Sequence, residues 1–319
     1  MAVRLNPVAA GDYEAWFVRE VERLGAVHFV LETEAMDRAQ ERAAEELRKM
    51  LPDGVDTPRA HVQWVDAETT DPDSTITVVG HEHAGWVFWR RTPDGSQAQL
   101  VDVLLADPGH GAQVRELIAD AARAEGAAQL WMTVRPGDAS SEALADRPGL
   151  TVRATNMTLL LDGPPVEDDG SVELRPMTPE QHEAFMSDEE ASYAESRQTA
   201  GETPERAREV ARTQIAQLVP DGLDSPGQRF WTAYAEGTPI GSLWIDDSQP
   251  RAFVYNVVVD PLQRRRGYGR SIMTAGARWC QEHGSVALGL NVFGYNEGAR
   301  ALYDQLGYTV DHETRSLDL

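Results

Sequence analysis

The chain predicts an α/β fold of two tandem domains, each a mixed, mostly antiparallel sheet flanked by helices. Three observations carry this reading. First, the chain is written twice. LPDGVDTPRAHVQWV at 51–65 returns as VPDGLDSPGQRFWTA at 219–233, and VRLNPVAAGDYEAWF from Val3 returns as VELRPMTPEQHEAFM from Val172. ALADRPGLTV from Ala143 returns as ALYDQLGYTV from Ala301. The order of segments is the same in both halves, so two copies of one fold is the economical explanation. Second, short apolar runs alternate with helix-compatible segments in each half. Third, DGPPVEDDG, from Asp162 to Gly170, is unsuited to continue a strand or a helix and falls where the first copy ends. The copies are therefore expected at 1–162 and 172–319, joined by a linker at 163–171.

The elements of the second copy follow in order. A short strand at 172–175 leads into charged helical segments. The Pro-Asp-Gly turn at 220–222 opens a strand at 230–235, which Glu236-Gly237 links as a hairpin to 240–245. Next come the apolar strand 252–259, an Arg-rich loop and a helix running to 283. A strand at 285–292, a helix at 296–306 and a final strand from 308 complete the copy. Pro-Asp-Gly occurs in both halves, so Asp53 and Asp221 read as turn residues. Trp231, Trp244 and Phe253 alternate with smaller residues and read as core.

Composition excludes several chemistries. The 319 residues are 41% hydrophobic and 25% charged, enough to build a core in each half. Of the 29 basic residues, only Lys49 is a lysine, and it lies in the helical run MDRAQERAAEELRKM. A Schiff-base lysine and a Walker-type phosphate loop are thereby disfavoured. A net charge of -23 opposes a nucleic-acid partner and is compatible with a cationic small molecule. The single Cys280 can form neither an intrachain disulfide nor a cysteine zinc site, reads as packed core, and no metal is expected. The N-terminus lacks the basic-then-apolar pattern of a secretory signal, and the apolar runs fall short of the roughly 20 residues of a membrane helix. No membrane association and a cytoplasmic location are the expectations.

Against this acidic background four arginines crowd into seven positions, Arg264-Arg265-Arg266-Gly267-Tyr268-Gly269-Arg270. A Gly-containing turn at the mouth of a helix directs backbone N–H groups and the positive end of the helix dipole at one point, a natural seat for phosphate. The corresponding stretch of the first copy, DPGHGAQ, has no arginine. From Asp107 to Val134 is 27 positions and from Asp260 to Val292 is 32, so the first copy lacks five residues across loop and helix. The repeat also pairs Asn296 with Asp138 and Tyr303 with Ala145. Each change points to ligand chemistry in the second copy alone.

The run Arg264-Arg265-Arg266-Gly267-Tyr268-Gly269, preceded by VVVDP and followed by NEGARALYDQLGY, resembles the GNAT family of acetyl-CoA-dependent N-acetyltransferases over 172–319. The resemblance implies acetyl-CoA as cosubstrate. The main chain of Val257, Val258 and Val259 would pair with its pantetheine arm, amides of 265–270 would hold the pyrophosphate, and Asn296 would hydrogen-bond the same molecule. Asn296, Arg300 and Tyr303 stand at i, i+4 and i+7, on one helical face. Tyr303 would be the general acid that protonates the departing thiolate. One departure is plain: the family commonly carries a glutamate base on the strand before the loop, where this chain has Tyr255 and then Asn256. Tyr255, Glu189, Glu190 and Glu195 are the candidates for the acceptor side. The expected activity is transfer of acetyl to a primary amine of a small molecule, with the first copy degenerate. Two alternatives stand beside it: a mycothiol synthase-like enzyme, which shares the tandem layout, and a non-catalytic acyl-CoA-binding sensor or interaction module, which has no use for Tyr303.

Overall fold

The computed structural model describes residues 2–32, 35–70, 79–199 and 203–319. The chain forms two compact units: Met1–Met157 with Val292–Ala299 and Thr309–Leu319, and Thr158–Asn291 with Arg300–Tyr308.

The first unit opens with β1 (Val3–Pro7), α1 (Tyr13–Glu32) and α2 (Met36–Met50). Ala39, Ala43 and Leu47, each four residues apart, form the buried stripe of α2. The Pro-Asp-Gly turn then makes a single 3-10 turn, Gly54–Asp56, with Gly54 at φ 60 and the Asp53 N–H donating to Thr57 Oγ1 at 3.0 Å. β2 (Ala60–Thr70), β3 (Val79–Arg91) and β4 (Gln97–Leu105) follow as an antiparallel meander. α3 (Gly111–Ala124), β5 (Gln129–Val134), α4 (Ala139–Ala145) and β6 (Thr151–Leu160) end the first copy.

The second copy repeats the order with β7 (Glu173–Pro176), α5 (Pro179–Thr199) and α6 (Pro204–Leu218). Thr203 caps α6, its hydroxyl accepting from the Arg206 N–H, with Pro204 in the first turn. The second Pro-Asp-Gly turn copies the first: Gly222 has φ 58 and the Asp221 N–H donates to Ser225 Oγ at 3.0 Å. Asp53 and Asp221 are therefore turn residues in both halves. β8 (Gln228–Ala235), β9 (Thr238–Asp246), β10 (Arg251–Val259), α7 (Tyr268–Glu282), β11 (Ala287–Phe293), α8 (Glu297–Gln305) and β12 (Thr309–Asp318) complete the chain.

Strands of the first unit run in the order β1-β2-β3-β4-β5-β12-β6, and those of the second in the order β11-β10-β9-β8-β7. The closing strands have traded places. β12 pairs antiparallel with β5, from Glu313↔Val134 to Asp318↔Gln129. Conversely, the residues from Thr158 belong to the second unit, where the Leu161 N–H donates to Val286 O at 2.8 Å. The partition at 162 and 172 follows the repeat; the compact units differ from it at these strands, because a strand joins the edge that satisfies its hydrogen bonds, whichever copy encodes it.

α7 lies on β9 and β10 with Ile272, Met273, Gly276, Ala277 and Cys280 buried. A Cβ on Gly276 would meet Leu243 Cδ2 at 2.6 Å, so glycine there sets how closely helix and sheet approach. Cys280 is wholly buried and burial pushes its thiol up to about 12, in keeping with a core residue. Trp231 and Trp244 are buried as expected, and Phe253 is half-buried. No helix among the described residues is long and apolar enough to cross a membrane.

Candidate active site

The site begins where two neighbouring parallel strands part. β10 pairs with β11 from Arg251↔Ala287 to Val254↔Leu290, and among the described residues the pairing goes no further. β10 nevertheless runs on to Val259, still bonded to β9 on its other side. Tyr255 is a bulge that breaks the register with β9, as bulges do beside sites. Beyond it the antiparallel alternation decides which groups face where. The Asp260 N–H donates to Ile240 O at 2.9 Å, so Asp260, Val258 and Asn256 turn their backbone groups to β9. Val257 and Val259 turn theirs to the opened edge. Of the three valines expected to pair with an extended ligand, Val257 turns both N–H and C=O to this edge, Val259 turns its N–H there while its C=O accepts from Arg264, and Val258 offers the edge no backbone group.

The Arg-rich loop sits at the end of this edge. Asp260 Oδ1 accepts from the Leu262 N–H at 2.7 Å and starts a 3-10 turn, Pro261–Gln263. Arg265 and Gly267 lie at φ 65 and φ 87, in the left-handed region. For Arg265 this is strain, of the kind retained at ligand clamps. Gly267 is the residue before α7, and its glycine is required by φ alone, since a Cβ there would meet open space. The N–H groups of Tyr268 and Gly269 open α7 without a carbonyl inside the helix to receive them. Arg264 Nε donates to Val259 O at 3.1 Å, and Arg270 Nη2 to Gln305 Oε1 at 2.7 Å. Arg264, Arg265, Arg266 and Arg270 are exposed. The loop thus combines orphan donors, a helix dipole and four cationic side chains, and it fits a pyrophosphate.

Tyr303, on α8, is buried, with its ring centroid 5.7 Å from that of Tyr308. Burial raises its pKa, so the phenol keeps its proton through neutral pH. Asn296 stands before α8 and caps it, Oδ1 accepting from the Ala299 N–H at 3.2 Å. It falls in the first compact unit, whereas Val257, Val259, the loop, Tyr303 and the three glutamates fall in the second.

Of the acceptor-side candidates, Glu189 stands apart. It lies on α5, and Asn256 Nδ2 donates to its Oε1. Burial pushes its carboxyl up to about 7, against the Asn256 hydrogen bond and with help from the Asp188 charge. Glu190 is half-buried and Glu195 exposed on the same helix. Tyr255 is 38% exposed and stacks on Trp244 at 4.7 Å. Sequence reasoning missed Asn256, the residue that ties Glu189 to the opened strand. The signal that finds it is the internal repeat.

In the first copy the equivalent edge is already filled. β4 pairs with β5 from Gln97↔Gln129 to Leu100↔Met132 and then runs on alone, with its bulge at Val101. The Ala106 N–H donates to Ala84 O at 2.7 Å, so Val103 and Leu105 face the opened edge as Val257 and Val259 do. Here the protein itself supplies the partners: Arg23 Nη2 donates to Val103 O at 2.7 Å, and the Leu105 N–H donates to Ser140 Oγ at 3.0 Å. Arg23 also grips buried Asp102 through two hydrogen bonds of 2.8 and 2.7 Å. The repeat places Ser192 opposite Arg23 and Gly298 opposite Ser140, so the second copy lacks both plugs.

A mixed sheet whose parallel strands part beside an Arg-rich helix-opening loop is an arrangement suited to an acyl-CoA-using transferase. Comparison with known proteins makes this specific: the sequence profile of the acetyltransferase (GNAT) family matches residues 183–308. The uncharacterized N-acetyltransferase YycN of Bacillus subtilis is 30% identical over 144 residues, 43% of this chain and 92% of that protein. A mycothiol acetyltransferase of Acidimicrobium ferrooxidans is 26% identical over 290 residues, 82% of this chain and 87% of its own length. The crystal structure of a GCN5-related N-acetyltransferase from Sphaerobacter thermophilus covers 99% of this chain and 95% of that one at 17% identity, with a TM-score of 0.55, and shares its fold. The chain belongs to the GNAT family, as a tandem member, and is an acyltransferase.

Proposed function

We propose that the second copy transfers acetyl from acetyl-CoA to a primary amine of a small molecule, and that the first copy binds no acetyl-CoA. One observation carries this: in the first copy the strand edge is plugged at Val103 and Leu105 by Arg23 and Ser140, whereas in the second Val257 is left open and Val259 O is met by Arg264 of the loop itself. In the second copy the edge leads directly into the Arg264–Arg270 loop. Val257 and Val259 would hold the pantetheine arm as an added strand, and the amides of 268 and 269 with the loop arginines would hold the pyrophosphate. A backbone N–H of this edge would also stabilise the oxyanion formed on the acetyl carbonyl. Tyr303 would protonate the thiolate as it leaves.

Calorimetric titration with acetyl-CoA tests the first part, with one site per chain expected. Two sites would overturn the reading of the first copy. Release of free thiol from acetyl-CoA across a panel of primary amines tests the second. Tight cofactor binding with no amine-dependent release would favour a sensor over an enzyme with this acceptor class. A mycothiol acetyltransferase-like acceptor is the second reading, favoured by the relative that spans 82% of the chain. The net charge of -23 favours a cationic acceptor in either case.

A further inference from the structure

We infer that Glu189, positioned by Asn256 at the bulge of β10, is the base that takes the proton from the acceptor amine. The inference rests on the acetyltransferase reading above and supplies the group that the strand itself lacks. From Arg251 to Val259 that strand carries no carboxylate. Asn256 immediately precedes the opened edge at Val257, and its amide holds Glu189 Oε1 from the neighbouring helix. The carboxyl is thereby fixed beside the place where the acetyl group would lie.

The two copies provide an internal control. Glu20 occupies the position of Glu189, each 17 residues past the matched Val3 and Val172. Asp102 occupies the position of Asn256: each faces the neighbouring strand one residue past the bulge, Asp102↔Phe88 and Asn256↔Trp244. The aromatic floors also correspond, with Trp16 edge-on to Phe88 at 6.1 Å and Phe185 edge-on to Trp244 at 6.3 Å. In the first copy Glu20 is wholly buried, and its Oε2 accepts from the Trp86 indole at 2.8 Å. Burial and the neighbouring Asp102 push its pKa well up, so it keeps its proton and acts as a strut. In the second copy Asp102 has become Asn256 and Arg23 has become Ser192. The charge and the guanidinium are gone, and Glu189 is only half-buried. One position has two uses, and only the second can cycle a proton.

The groups that act on Glu189 are few. Asp188, beside it on α5, opposes ionisation, and the Asn256 amide from β10 favours it. Phe185 and Met186, one helical turn before Glu189 on α5, belong to the apolar cluster of Phe230 and Trp244. A base poised near neutrality is well matched to an ammonium that must be deprotonated before attack. The step balances as follows. The ammonium gives one proton to the Glu189 carboxylate, and the neutral nitrogen forms a bond to the acetyl carbon. The C–S bond breaks as the tetrahedral adduct collapses, the nitrogen releases its second proton, and the thiolate takes one from Tyr303. The second proton from the nitrogen restores the Tyr303 phenol by way of solvent, the proton held by Glu189 passes to solvent, and the products are the amide, the free thiol and one proton.

The test is the pH profile of kcat/KM for the best acceptor of the amine panel, in wild type, Glu189→Gln and Asn256→Ala. Wild type is expected to lose activity below about pH 7. Glu189→Gln is expected to fall about 100-fold or more at pH 7 and to recover toward the pH at which the amine loses its own proton. Its acetyl-CoA affinity by calorimetry is expected to stay unchanged. Asn256→Ala removes a donor to the carboxylate, so its acid limb should move upward while activity survives. A Glu189→Gln enzyme with the wild-type limb, or with an equal loss at every pH, overturns the assignment and leaves the acetyltransferase reading intact. Wild type that acetylates no amine overturns both.

Discussion

Glu189→Gln should stabilise the protein at alkaline pH while disabling it. The Glu189 carboxyl is half-buried and hydrogen-bonded by Asn256, and burial moves its pKa from 4.5 to about 7 on folding. Between those values the native state holds a proton that the unfolded chain has released, so stability falls as pH rises through this window. Above pH 7 the ionised carboxylate carries the full penalty, at most about 3 kcal/mol, and about 2 once the water that still reaches it is allowed for. Glutamine keeps an oxygen for the Asn256 amide and has no charge to desolvate. The variant should therefore match wild type near pH 4.5 and exceed it by about 2 kcal/mol at pH 8. Urea denaturation followed by circular dichroism at pH 5 and pH 8 measures the difference. An equal offset at both pH values, or a variant less stable at pH 8, would show that Glu189 is not held in a desolvating site and would refute the reasoning.

Arg23→Ala removes the guanidinium hydrogen-bonded to Asp102, a carboxylate with its side chain 1% exposed, leaves Arg135 at 3.8 Å as its cation, and should cost about 3 kcal/mol by chemical denaturation. Adding Asp102→Asn should restore part of that loss, and acetyl-CoA affinity should stay constant throughout, since this cluster lies outside the proposed donor site. Gly267→Val places a β-branched residue at φ 87 and should weaken acetyl-CoA at least tenfold in calorimetry, with about 1–2 kcal/mol of backbone strain. Tyr303→Phe should lower kcat about tenfold or more while leaving acetyl-CoA affinity nearly intact; equal turnover would remove Tyr303 from the mechanism.

Much of the fold is legible in the sequence because its signals are local. The Pro-Asp-Gly turns come out as matched 3-10 turns with the same hydroxyl-to-backbone bond, and the Arg-rich loop does open a helix. The strand 252–259 and helix 296–306 are found at Arg251–Val259 and Glu297–Gln305. Each of these rests on turn chemistry, periodicity or a cap, which a few consecutive residues decide. The site is less legible. Tyr255 stands at the expected position, but its being a bulge, and Asn256 being the residue that turns to Glu189, depend on register with β9.

From the sequence alone come the double writing of one fold and the confinement of the Arg-rich, glycine-containing loop to the second copy, because both are read from consecutive residues. The tertiary structure decided which strand edges are open. Val257 and Val103 belong to equivalent apolar strands, yet one presents its backbone at an unpaired edge and the other is bonded to Arg23 from a helix 80 residues away in sequence. The trade of β12 and the end of β6 between units is of the same kind. Backbone hydrogen bonds between distant segments carry no sequence code of their own, because every residue offers the same N–H and C=O. Which distant group satisfies them is settled by packing, and here that choice separates Val103, bonded by a helix side chain, from Val257, whose edge-facing backbone groups are left unpaired among the described residues.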